Sequence, residues 1–84
     1  MMVEPEIVDS PLAGTIERDG FTIRVEIYRG DDSDWILEVV DEYRNSVVWN
    51  DQFKTDQLAM DELLRTLDTD GIESLIDAPK TTSP

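Results

Sequence analysis

The chain has 84 residues, no cysteine, no histidine and a formal charge of −13. That length makes one small domain with room for a single core. The missing residue types exclude disulfides, thiolate zinc sites and the side chain most used for proton transfer near neutral pH, so a non-enzymatic protein is expected.

The charge is uneven. Residues 1–30 carry six acids against three bases, whereas residues 31–84 carry fourteen against four. A field of that sign repels phosphate backbones and anionic surfaces, so direct nucleic-acid and membrane binding are not expected, while a basic partner is admitted. No stretch is apolar for the length of a bilayer. The absence of a secretory-type apolar run after Met1 sets a cytoplasmic location as the expectation.

Residues 1–10 hold three acids and the isolated pair Ile7-Val8, with Pro11 just beyond. They read as a flexible arm, the alternative being that Ile7 and Val8 pair briefly on a sheet edge. A single domain then spans residues 11–77. Its first strand is expected from Leu12 to Arg18. Asp19-Gly20 takes positive φ at low cost, as a two-residue hairpin turn requires. The second strand, Phe21 to Arg29, alternates strictly, setting Phe21, Ile23, Val25 and Ile27 on one face and Thr22, Arg24, Glu26 and Tyr28 on the other. The turn sets the pairing: Arg18 opposite Phe21, Ile16 opposite Ile23, Gly14 opposite Val25 and, by extension, Leu12 opposite Ile27.

Gly30 to Asp34 is polar and reads as a loop. Trp35 to Asp41 is a third strand whose bulkier set, Trp35, Leu37 and Val39, is assigned to the core. A three-residue loop at Tyr43-Arg44-Asn45, with Asn45 in the left-handed region, would bring Val39 opposite Trp49 and Trp35 opposite Phe53 on a fourth strand from Ser46 to about Phe53. A two-residue Arg44-Asn45 loop would invert that strand.

Thr55 or Asp56 is suited to cap a helix running to about Asp68. At 100° per residue Ala59, Met60, Leu63, Leu64 and Leu67 form one apolar ridge, with Leu58 on the polar side. Gly71 stops the helix. Ile72, Leu75 and Ile76 then fit a further short helical turn, and residues 78–84 read as a disordered tail. The expected architecture is α+β, a four-stranded antiparallel β-meander with one face covered by a C-terminal α-helix.

Few residues carry chemistry. Asp31, Asp32 and Asp34 crowd carboxylates into one loop, but a calcium site needs six to eight oxygens from a folded-back loop, and a solvated turn explains the run. Asp68-Thr69-Asp70-Gly71 resembles the middle of a helix-loop-helix calcium loop, yet with Gly71 in register Glu73 stands where an apolar residue belongs and Asp77 replaces the closing Glu. No metal, cofactor or catalytic residue is assigned.

The informative surface is the sheet face away from the helix. There Tyr28, Ile36, Val40 and Val48, with Ala13, lie among Glu17, Arg24, Glu26 and Glu38. Apolar patches of this kind mark interfaces, so the expected function is self-association, for example as a homodimer, or docking of another protein. A second reading takes Asp31, Asp32, Asp34, Glu38, Asp41 and Glu42, with the helix acids, as a stand-in for nucleic-acid phosphates that engages a basic DNA-binding protein.

Overall fold

The computed structural model describes residues 7–31 and 33–76. Five strands, β1 (Val8–Asp9), β2 (Gly14–Arg18), β3 (Phe21–Arg29), β4 (Ile36–Asp41) and β5 (Ser46–Val48), form one antiparallel sheet, and α1 (Asp56–Asp70) and a 3₁₀ turn (Ile72–Leu75) complete the fold. The α+β meander with its C-terminal helix is the observed architecture.

The β2–β3 hairpin forms as its sequence dictates. Asp19 and Gly20 sit at φ 53° and 82°, a pair of positive values whose twist matches the strands they join. The register runs from Arg18 opposite Phe21 to Gly14 opposite Val25. It does not continue to Leu12 opposite Ile27. Instead the Ser10 N–H bonds the Ile27 carbonyl at 2.8 Å, and beyond it Asp9 and Val8 pair with Tyr28 and Arg29. Two extra residues are therefore absorbed between β1 and β2, in a turn closed by the Ala13 N–H on the Ser10 carbonyl. The sheet-edge alternative for Ile7-Val8 is realised one residue along, at Val8–Asp9.

Ser10 is the reason this turn holds. It is buried, its Oγ accepts the Leu12 N–H at 3.0 Å, and the hydroxyl donates to Asp56 Oδ2 at 2.7 Å. One side chain thus joins the start of the sheet to the first turn of the helix. Residues 1–6 of the expected arm, and the expected tail at residues 78–84, lie outside the described residues.

At the β4–β5 connection the loop is Glu42-Tyr43-Arg44, one residue earlier than expected, and Arg44 takes the left-handed conformation at φ 69° in place of Asn45. The cause is Asp41. Its Oδ1 accepts the Tyr43 N–H at 2.8 Å and the Asn45 N–H at 2.9 Å, which holds the chain in the turn that an Asp at the first position favours. Val39 consequently faces Val47 rather than Trp49. The loop still has three residues, so the shift is two positions along the ladder and leaves every side chain on its expected face. Two further residues are taken up between Val48 and Phe53, and the expected Trp35–Phe53 pair forms through backbone bonds of 2.7 and 2.8 Å.

Thr55 caps α1 by accepting the Leu58 N–H at 3.1 Å, satisfying a backbone donor that has no partner within the helix. Gly71, at φ 81°, closes the other end with its N–H on the Leu67 carbonyl. The core joins Ile23, Val25 and Ile27 of β3 and Leu37 and Val39 of β4 to Ala59, Leu63 and Leu67 of α1, with Ile72 and Leu75 sealing one end. Leu58, on the polar side of the helix, is exposed rather than packed on a neighbouring segment. Thr66 is buried and returns its hydroxyl to the Glu62 carbonyl at 3.0 Å, an intrahelical bond that lets a polar residue share the apolar ridge.

Candidate functional site

Strand pairing arranges the outer sheet face in rows. Asp9, Tyr28 and Ile36 form the first; Glu26, Glu38 and Val48 the second; Thr15, Arg24, Val40 and Ser46 the third. Tyr28, Ile36 and Val40 are half-buried and Val48 is exposed, so the four apolar residues expected on this face are brought together there. Ala13 lies in the turn before β2. On the opposite side α1 packs against the buried residues of β3 and β4, and the 3₁₀ turn packs against α1.

The middle row holds an unfavourable arrangement. Glu26 and Glu38 are directly opposite each other, and like charges in that relation destabilise a strand pair. Their partners compensate only in part. Arg24 approaches Glu26 at 3.5 Å with its own side chain largely in solvent, and an exposed pair of that kind is worth at most about 1 kcal/mol. On the other side the Tyr28 hydroxyl donates to Glu38 Oε1 at 2.9 Å. Burial first, and then that bond and the charges of Glu38 and Glu26, push the Tyr28 phenol above its ordinary value of 10.0.

The sign of that shift sets a pH dependence. A phenol whose folded value is raised contributes stability that is fully present below the unfolded value, near pH 10, and is lost as pH rises through the folded value. In a Tyr43→Phe background, phenolate absorbance should therefore give a Tyr28 midpoint above 10, and Glu38→Gln should lower it. An unchanged midpoint in Glu38→Gln would remove the Tyr28–Glu38 contact from the account.

Above this row Thr15, Thr22, Arg24, Val40, Asp41, Glu42 and Arg44 line an open depression of ≈ 440 Å³. Glu42 belongs to its wall, with Oε1 accepting the Thr22 N–H at 2.8 Å. Asp41, expected on the acidic surface, is corrected: it is 6% exposed, because its carboxylate is used to hold the loop. Asp31 and Asp34 are exposed in the β3–β4 loop, where Ser33 Oγ accepts the Gly30 N–H at 2.8 Å; Asp32 lies outside the described residues. Asp68 pairs with Arg18 at 3.0 Å. Among the described residues no three acids are gathered as a metal ion would require.

On the helix side, Arg65 bonds Glu62 at 2.6 and 3.0 Å and holds that carboxyl below the ordinary carboxylate range, with lesser contributions from the Trp49 and Thr66 side chains. Trp49, in the segment just after β5, is partly buried against the core to which α1 contributes. What the sequence reading missed is the opposed Glu26–Glu38 pair, whose signal is the register set by the turns rather than any local motif.

No helix of the described residues is long and apolar enough to cross a membrane. No protein-family model matches the chain, and no curated protein or solved structure matches it.

Proposed function

We propose that this chain is a non-enzymatic protein-interaction module that docks a partner protein on the outer face of its sheet. The observation that carries the reading is the opposed Glu26–Glu38 pair set among Tyr28, Ile36, Val40 and Val48 on a face that the helix leaves uncovered. Apolar area there rewards burial, and a partner's cation would relieve the repulsion. A second copy, also at −13, brings charge of the wrong sign, which favours another protein over self-association. The absence of cysteine and histidine supports a binding role over catalysis.

Val40→Lys tests this. The new lysine stands opposite Arg24, so a stability loss of up to about 1 kcal/mol is expected with an unchanged circular dichroism spectrum. Used as bait in extract from the source cell, the wild-type chain should retain a partner that Val40→Lys loses. Equal capture by both would overturn the reading. Salt separates it from the phosphate-mimicking alternative, which the overall charge favours: that alternative predicts loss of capture between about 50 and 200 mM salt, whereas apolar docking persists.

A further inference from the structure

The edge of the sheet at β5 carries an inference that rests on this outer-face reading and names the partner's chemistry. The Asp41 N–H bonds the Asn45 carbonyl at 2.9 Å and the Trp49 N–H bonds the Leu37 carbonyl at 3.1 Å. Val47, paired with Val39 midway between these two bonds, shares their direction toward β4. Antiparallel alternation then turns the N–H and C=O groups of Ser46 and Val48 away from the sheet. Both valines are exposed, 39% for Val47 and 49% for Val48, and β5 itself has no charged residue.

Natural sheets protect their margins with charge and interruption. The opposite margin has both, since β2 carries Glu17 and Arg18 and is broken from β1 by two extra residues. β5 is short but uncharged and apolar on both faces. Beside it on the outer face, Val48 is the direct neighbour of Glu38, which is in turn opposite Glu26.

We propose that β5 is a strand-addition site for a basic extended segment of the partner, paired to the outward backbone groups of Ser46 and Val48. A residue of the added strand opposite Val48 lies two strand spacings, about 10 Å, from Glu38. A lysine or arginine there spans that gap by laying its aliphatic stem over Val48 and presenting its charge to Glu38. Main-chain bonds supply the affinity and the carboxylate pair selects the sign of the side chain.

The probe is a short peptide alternating lysine and valine, with a glutamate-valine peptide as control, titrated into the full chain and followed by amide shifts. Saturable shifts at Ser46, Val48 and Glu38 with the lysine peptide alone are expected. Glu38→Gln should weaken binding about fivefold. Val48→Pro should abolish it while keeping the fold, because proline is tolerated in an edge strand where the N–H points outward. Should that variant unfold, the Glu38→Gln comparison still decides.

No shift, equal shifts with both peptides, or shifts at Thr15 and Glu17 would overturn the site. Shifts confined to Tyr28, Ile36 and Val40 would overturn the edge while leaving outer-face docking standing. Sedimentation of the chain alone as a dimer that Val48→Pro dissolves would make the occupant a second copy and overturn the basic partner.

Discussion

Leu63→Ala should remove a large share of this protein's stability. Leu63 is 0% exposed in the middle of the helical ridge, and truncating a buried leucine costs about 2–5 kcal/mol once the cavity is included. The whole fold, at 84 residues, is expected to hold only about 4–13 kcal/mol. Urea denaturation followed by circular dichroism reads the effect. Leu58→Ala, on the exposed side of the same helix, is the control and should change stability by less than about 0.5 kcal/mol. If the two variants unfold at the same urea concentration, the ridge is not what the sheet packs against.

The second large effect is expected at Asp41→Ala. The Asp41 carboxylate accepts the Tyr43 and Asn45 N–H groups at Oδ1, and the Asn45 amide approaches Oδ2 at 3.4 Å. Hydrogen bonds to a buried charge are worth about 1.5–3 kcal/mol, and their loss leaves Arg44 in a left-handed conformation with less to hold it there. A destabilisation of about 2–4 kcal/mol is expected, with faster hydrogen exchange at Tyr43 and Asn45. Asp41→Asn keeps an acceptor oxygen and should recover part of the loss. Full stability in Asp41→Ala would mean that the loop is set elsewhere.

Where local chemistry and hydrophobic pattern agreed, the fold was legible in the residues. The alternation from Phe21 to Arg29 and the positive-φ pair Asp19-Gly20 both demand the same hairpin. The spacing of Ala59, Leu63 and Leu67 between Thr55 and Gly71 likewise demands one amphipathic helix. Legibility ended where a side chain acts on distant backbone. Ser10 reaches Asp56, forty-six positions away, and nothing near Ser10 announces it. The loop after β4 reads one residue too late in the sequence because Asn45 has the better left-handed propensity, whereas the Asp41 carboxylate hands that conformation to Arg44.

The outer face was legible as composition and incomplete as a site. Alternation puts Tyr28 there, and assigning the bulkier Trp35, Leu37 and Val39 to the core puts Ile36 and Val40 beside it. The confrontation of Glu26 with Glu38, the Tyr28 bond that crosses to Glu38 and the outward backbone of Ser46 and Val48 all depend on register. A local reading has no access to it until both turns are known.

The two places where the ladder absorbs surplus chain, before β2 and after β5, each take up an even number of positions. Length changes at these joints should therefore be accepted in pairs: lengthening by two slides a partner along while preserving what is wet and what is dry. A lone inserted or deleted residue at the Glu42–Arg44 bend would instead turn β5 over, sending Trp49 toward water and Val48 beneath the sheet. Homologues of this chain, when aligned, should differ at these joints by steps of two.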